Sequence, residues 1–370
     1  MANKKRETRN EKLGFRMPAE WEPHSGTWLA WPHNKTDWPG KFAPIPWVYA
    51  EIVRHLARHE RVYLIVQNAK AREDARKVLT RAHVPLDNVD FFLWPTNRGW
   101  LRDTGAIFVS DGKRLTALDW LFNAWAKYDD WQLDDKLPAR IAARLKLPRV
   151  QPIIQCHPER VSTREGPAVR KHRIVLEGGS IDVNGRGTLL TTEECLLSTE
   201  QARNPGLTRT QYEEVFEEYL GVRKTIWLNR GIAGDDTHGH VDDIARFVSP
   251  DTVVAPIETD RSDPNYDPLL ENVEILRRAT DQDGRPLTVL ELPMPAPVWF
   301  NRQRLPASYA NFYICNGRVL VPTFDDPNDR VALNLLAHVL PGRQIIPIYC
   351  GDLVIGLGTL HCMTQQQPAL

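Results

Sequence analysis

The sequence predicts an α/β fold built from a repeated unit. Three observations carry this. Short apolar runs of strand length alternate with stretches of helical periodicity. A polar or glycine-bearing triplet stands at the mouth of an apolar run near Asp103, Glu177, Asp242, Asn311 and Cys362, at spacings of 74, 65, 69 and 51 residues. That loose period suits a strand–strand–helix–strand repeat. No linker, low-complexity run or composition break divides the chain. Residues 17–370 therefore read as one domain behind a flexible tail at 1–16.

The elements follow in order. Thr27 to Trp31 is a first strand, closed by Pro32. Residues 46–58 are helical, with Val48, Ile52, Val53 and Leu56 on one side. Arg61 to Gln67 is a buried strand, 69–82 a second helix, and Val89 to Trp94 another strand. Ala106 to Val109 is a strand with a turn at Asp111-Gly112. Residues 119–137 read as a Trp-, Asp- and Lys-rich surface loop with a short helix, and 138–147 as a helix. Ile181 to Val183 and Thr188 to Thr191 flank an Asn184-Gly185 hairpin turn. Residues 208–220 form a helix with a Thr208–Gln211 capping box. Ile244 to Val248 is a strand, 268–280 a helix, and the proline-rich 291–306 a loop. Phe312 to Cys315 and Val319 to Val321 pair across Asn316-Gly317. A helix at 329–339, a strand at 344–349 and a strand carrying Cys362 complete the chain.

Composition excludes some classes. Lys+Arg and Asp+Glu both count 47. This argues against a general nucleic-acid binder, which needs excess positive charge to displace counterions. No stretch approaches the length of apolar chain that spans a membrane. The basic start lacks a following apolar region, so it does not read as a secretory signal. Five cysteines, at 156, 195, 315, 350 and 362, show no CxxC or zinc-type spacing. The expectation is free thiols in a reducing, cytoplasmic setting.

The chemistry-bearing residues are few. Cys362 follows an apolar run and the glycine pair Gly356 and Gly358, which lets backbone approach closely. It reads as a nucleophile, with a small buried hydrophobe as the plainer alternative. Asp103 lies in Trp-Leu-Arg-Asp-Thr-Gly, Glu177 in Glu-Gly-Gly-Ser, and His240 and Asp242 in Gly-His-Val-Asp. Two residues apart on a strand, His240 and Asp242 would face one way. A thiol, an imidazole and three carboxylates suit a small cationic, planar, nitrogen-rich substrate such as a guanidinium, gripped by paired charge-assisted hydrogen bonds. The bound cation would favour thiolate over thiol. Each residue alone could also be structural. A rival chemistry is a binuclear metallohydrolase, since His238-Gly-His240-Val-Asp242 is H-x-H-x-D. Asp243 stands where that pattern wants another histidine, and a catalytic zinc usually needs three protein ligands.

Taken together, these motifs resemble the agmatine deiminases, in the family shared with bacterial-type peptidylarginine deiminase, within the guanidine-modifying pentein superfamily. The resemblance runs from Met17-Pro-Ala-Glu-Trp-Glu-Pro-His24 to the C-terminus. It includes Thr-Leu-Leu-Thr-Thr-Glu-Glu-Cys-Leu-Leu, Pro-Ala-Ser-Tyr-Ala-Asn-Phe-Tyr and His-Cys-Met-Thr-Gln-Gln-Gln-Pro. It implies a five-bladed α/β propeller with pseudo-fivefold symmetry, no metal or cofactor, and a homodimer. It further implies Cys362 as nucleophile, His240 as general acid/base, and Asp103 and Asp242 as guanidinium carboxylates. Glu177 would orient His240, and Trp100 would lie against the substrate. The pattern departs at Ala106, at 301–303, at His238 and at Leu357, which leaves recognition of the substrate's far end open. The activity implied is hydrolysis of agmatine to N-carbamoylputrescine and ammonia, a step of putrescine and polyamine biosynthesis. Arginine or peptidyl-arginine deimination would use the same reacting site. A non-catalytic pentein acting as a binding module is the reading from another class.

Overall fold

The computed structural model describes residues 14–156 and 170–370. Residues 1–13 of the expected tail and the segment 157–169 lie outside the described residues. Arg16 already belongs to the fold, against the tail boundary expected from sequence. Its backbone exchanges hydrogen bonds with Ser110 at 3.0 and 2.8 Å, and its guanidinium meets Glu22.

Among the described residues the strands form five sheets of three or four strands and two short pairs. Four sheets repeat one plan. A first strand runs antiparallel to the second, a helix follows, and a third strand returns parallel on the second strand's far side. Ile107–Ser110, Leu115–Leu118 and Arg149–Val150 make one such sheet. Asp182–Val183, Thr188–Thr192 and Lys224–Leu228 make the next. Arg246–Phe247, Thr252–Ile257 and Thr288–Pro293 follow, then Tyr313–Cys315, Arg318–Thr323 and Gln344–Tyr349. The fifth sheet joins the two ends of the chain. Gln365–Pro368 runs antiparallel to His24–Ala30, which pairs in parallel with Arg61–Val66, and that strand with Val89–Leu93.

The helices arise where sequence signals place them. Arg209–Leu220 starts at Thr208, whose side chain and that of Gln211 form the reciprocal cap expected, and stops at Gly221 in the left-handed region. Its Tyr212, Val215, Phe216 and Leu220 face inward. Full burial of side chains of this size contributes about 1.5–3 kcal/mol each. Pro327–Val339 begins two residues earlier than expected, because Asp326 and Asp329 make a second capping box with a proline in the first turn.

Several expectations are corrected. Cys362 is carried by a single helical turn, Leu360–Met363, and not by a strand. The glutamines after it do not merely end the chain. They form the strand Gln365–Pro368, with Gln366 accepting from Arg102 at 2.6 Å and Gln367 from Trp28 at 3.0 Å. His240 and Asp242 are not on a strand. His240 caps the short turn Val241–Asp243, so the two side chains need not face one way. The proline-rich 291–306 contains the end of the strand Thr288–Pro293 and a small hairpin, Trp299–Phe300 with Gln303–Arg304. The stretch 119–137 is not a surface loop throughout, since Trp120, Phe122, Trp125 and Asp134 are buried.

Candidate active site

Four short turns pack against one another. These are Leu101–Thr104, Gly178–Ser180, Val241–Asp243 and Leu360–Met363. Each lies next to a strand of a different sheet, so residues far apart in sequence meet. Asp103 and Cys362 are buried within the first and last turns, and Glu177 and His240 stand one residue before the other two. Glycines make the approach possible. A Cβ on Gly179 would lie 2.5 Å from His240 Nδ1 and 2.9 Å from Asp103 Oδ1. A Cβ on Gly358 would lie 3.0 Å from the Trp100 ring and 3.2 Å from Cys362 Sγ.

The contacts are specific. Asp103 Oδ1 accepts from Gly179 N at 3.0 Å, and its Oδ2 accepts from Trp125 Nε1 at 2.9 Å. His240 Nδ1 lies 3.9 Å from Asp103 Oδ1, and its Nε2 3.7 Å from Glu177 Oε2. Arg203 Nε donates to Glu177 Oε1 at 3.1 Å. The thiol of Cys362 lies 3.6 Å from Asp242 Oδ2, and Asn311 Nδ2 donates to Cys362 Sγ at 3.1 Å. The same amide donates to Asp243 Oδ1 at 2.9 Å. On the side chains of Glu177, His240 and Asp242, four buried polar atoms have no hydrogen-bond partner among the described residues: both ring nitrogens of His240, Glu177 Oε2 and Asp242 Oδ1. Each such atom costs about 1–3 kcal/mol when left unsatisfied, so their grouping marks a place made for something else.

Burial and neighbours set the charges. Burial pushes the Asp103 carboxyl up to about 6, with Asp242 and Glu177 adding to the rise and His240 and Trp125 opposing it. Burial also opposes charge on Glu177, but the Arg203 guanidinium and His240 bring it down to about 2. For His240, burial is outweighed by Asp103, Cys195 and Glu177, which hold the imidazole well above its ordinary range. Burial and the carboxyl groups of Asp242, Asp243 and Asp103 push the Cys362 thiol well above the usual thiol range, and Asn311 offsets only part. Without a ligand the site is thus a thiol beside carboxyl groups and a proton-holding imidazole.

The turns of Asp103 and Cys362 open into a cavity of about 180 Å3. Trp100, Asp103, Trp125 and Cys362 line its depth, and Asp37, Arg98, Tyr128 and Asp236 stand among its other walls. Arg98 pairs with Asp37 at 2.5 Å, while Lys127 and Tyr128 hold Asp236. The loop around Trp125 is held in place by three successive left-handed residues, Ala124, Trp125 and Ala126.

The profile of the Porphyromonas-type peptidyl-arginine deiminase family matches residues 16–368. The chain belongs to that family. A Legionella pneumophila relative is 38% identical over 98% of this chain and 97% of its own. The agmatine deiminase of Ectopseudomonas mendocina is 36% identical over 96% of each chain. Among solved structures, the agmatine deiminase of Enterococcus faecalis superposes with a TM-score of 0.85 at 30% identity, covering 99% of both chains. That of Campylobacter jejuni, solved as a cysteine-to-serine variant with substrate bound, gives 0.81 at 33% identity over 95% of this chain and 96% of that one. The fold is the mixed α/β fold of these enzymes.

Within this deiminase family member, the sequence-derived residues Trp100, Asp103, Glu177, His240, Asp242 and Cys362 all come together. Sequence reasoning missed Glu20, Arg203, His361, Trp125 and the amide of Asn311 as parts of the site. Glu20, Asn311 and His361 stood in recognised motifs, and Trp125 in a stretch read as surface. The H-x-H-x-D metal reading finds no support. His238 Nε2 faces Ser198 Oγ at 3.2 Å and Asp242 Oδ2 faces His361 Nδ1 at 2.6 Å. Among the described residues, Glu177, Cys195 and His240 could offer ligand atoms within 4.8 Å of one another. The Arg203 cation on Glu177 opposes a second cation there.

Proposed function

We propose that the protein is an agmatine deiminase, which hydrolyses agmatine to N-carbamoylputrescine and ammonia through a covalent amidino intermediate on Cys362. The observation that carries this reading is the set of close approaches among one thiol, one imidazole and three carboxyl groups, of which Cys362 and Asp103 line a cavity and His240, Glu177 and Asp242 keep unpartnered polar atoms beside them. Full-length likeness to agmatine deiminases supports it.

In this scheme the guanidinium lies against Trp100, with Asp103 on one side and the free Oδ1 of Asp242 on the other. Its positive charge reverses the balance that keeps Cys362 a thiol and lifts Asp103 to about 6. The thiol gives up its proton to solvent, and the thiolate attacks the guanidinium carbon, forming a C–S bond as the C=N π electrons move onto nitrogen. His240, which Glu177 orients and keeps protonated, delivers a proton to the departing nitrogen, and the C–N bond breaks with release of ammonia. An amidino thioether remains. His240, now basic, takes a proton from water as the oxygen bonds to carbon. The C–S bond then breaks as the hydroxyl proton passes to the departing sulfur, giving the ureido product and the regenerated thiol. Atoms balance as agmatine and water going to N-carbamoylputrescine and ammonia. The scheme draws on side chains alone, in keeping with the absence of a cofactor or metal that the family likeness implies.

Deimination of arginine or peptidyl-arginine is the second reading, favoured by the description of the matching family. Ammonia release from agmatine, free arginine and an arginyl peptide separates the two. Turnover of agmatine alone supports the proposal, and preference for the peptide overturns it. A binding module would leave all three unchanged and would resist haloacetamidine labelling at Cys362.

The antiparallel-then-parallel plan shared by four sheets, and by the first three strands of the fifth, supports a five-bladed propeller with pseudo-fivefold ββαβ units over 17–370. The small cationic guanidine is the partner proposed, with no nucleic acid and no membrane. Among the described residues no helix is long and apolar enough to cross a membrane. A cytoplasmic homodimer serving putrescine biosynthesis completes the reading, and light scattering tests the dimer.

A further inference from the structure

Asp242 is held from behind by a buried chain of groups that the mechanism above does not use. His361, the residue before the nucleophile, has both ring nitrogens against carboxylates. Nδ1 lies 2.6 Å from Asp242 Oδ2, and Nε2 lies 2.8 Å from Glu20 Oε2. A nitrogen lone pair facing a carboxylate oxygen at such distances is repulsive, so each contact must hold a proton. Glu20 also accepts from Arg102 Nη2 at 3.0 Å, Arg246 Nη2 at 2.8 Å and the backbone N of Ile314 at 2.8 Å. With two guanidinium groups and an amide on it, Glu20 is the fixed anion of the set. One proton therefore belongs to Nε2, and the other lies between Nδ1 and Asp242.

We propose that Glu20, acting through His361, is a positioning residue for Asp242. It keeps the second proton on the imidazole, so that Asp242 meets the cation with its free Oδ1 as an anion. Asp242 Oδ1 has no partner among the described residues, while Oδ2 is engaged by His361 and lies 3.6 Å from the thiol. One oxygen is thus tied to the protein and the other is left without a partner beside the thiol's turn. The N-terminal segment carrying Glu20 and the C-terminal turn carrying Cys362 are joined through this imidazole. The inference rests on the proposed function above, because it needs Asp242 to bind the guanidinium.

The charged and titratable groups facing His361 and Asp242 include Glu20, Arg102, Arg246, Asp103, His240, Asp243 and Cys362. Burial, Arg102 and Arg246 outweigh Glu20 and Asp242 and hold the His361 imidazole below its ordinary range, so it is the short contact of each ring nitrogen with a carboxylate that calls for the second proton. Removing the donor from Asp242 therefore favours its protonated form.

Two substitutions separate the ends of the imidazole. His361→Gln can still donate to Glu20 but offers nothing to Asp242, whereas His361→Asn can donate to Asp242 but cannot reach Glu20. With agmatine as substrate, His361→Gln is expected to raise KM about tenfold or more, with a smaller change in kcat. It should also move the acidic limb of kcat/KM to higher pH by about one unit. His361→Asn should retain a KM within about threefold of the unsubstituted enzyme. The unsubstituted protein should show a far-downfield imidazole N–H proton resonance, a readout that needs neither substrate nor variant. Equal losses in both variants with an unmoved acidic limb would overturn the proposal, as would the absence of that resonance. Failure of the unsubstituted enzyme to act on agmatine would instead overturn the parent reading, and the resonance would still be informative.

Discussion

Cys362 is set up to be inert until a cation arrives. Burial and the nearby carboxyl groups hold its proton, and the Asn311 amide is the one hydrogen-bond donor directed at the sulfur among the described residues. Alkylation by neutral iodoacetamide should therefore be slow at neutral pH and climb only in the alkaline range, as mass spectrometry of the labelled peptide would report. A positively charged haloacetamidine should react far faster at the same pH. Asn311→Asp replaces the donor by a further carboxylate and should slow that labelling by about tenfold. At this scale the sequence was informative where a motif is short. Asp103, Glu177, His240, Asp242 and Cys362 each stand in a run of a few residues that announces them. Glu20 with Arg246, and His361 with Asp242, are pairings across more than a hundred residues. Nothing local marks them. Arg203 likewise meets Glu177 only because two turns pack together.

Single turns, not strands, carry the reacting groups. Turns of three or four residues leave no periodicity to read, and for that reason Cys362 and His240 with Asp242 look like strand residues in sequence. The glutamine strand was hidden for another reason. Gln365 to Gln367 lack the β-branched and aromatic character of a strand, yet pairing with His24–Ala30 and bonds from Arg102 and Trp28 hold them. Capped helices and glycine hairpins were legible because their signals are local. His238, Asn301 with Arg302, and Leu357 adopt left-handed backbone. Such conformations cost non-glycine residues about 1–2 kcal/mol each, so this chain carries strain near its cavity rim. The packing of the turns gives a direct test. Gly179→Ala drives a methyl group toward His240 Nδ1 and Asp103 Oδ1. It should lower kcat/KM by about a hundredfold in steady-state assays, with the far-ultraviolet circular dichroism unchanged.

Across the whole molecule, buried carboxyl groups set the response to pH. Asp37 and Asp103 are raised to about 6, and Asp134 and Asp182 to about 7, each chiefly by burial. A carboxyl raised on folding favours the folded state below its unfolded value, and that contribution is lost as pH rises through the folded value. Glu177, lowered to about 2 by Arg203 and His240 against the opposing effect of burial, contributes in the opposite sense. Its share is present above about 4.5 and is lost as pH falls toward 2. Thermal melts should therefore show greatest stability in mildly acidic buffer and a decline toward neutral pH. A cationic substrate analogue should shrink that decline by stabilising the anion of Asp103.

One covalent bond, between Cys362 sulfur and the guanidinium carbon, decides the mechanism. Brief mixing of the protein with agmatine, followed by acid quench and peptide mass spectrometry, should find agmatine less ammonia attached to Cys362, and the adduct should vanish in Cys362→Ala together with ammonia release. Ammonia release that persists in Cys362→Ala, or an adduct on Cys195, Cys315 or Cys350 in its place, would contradict it.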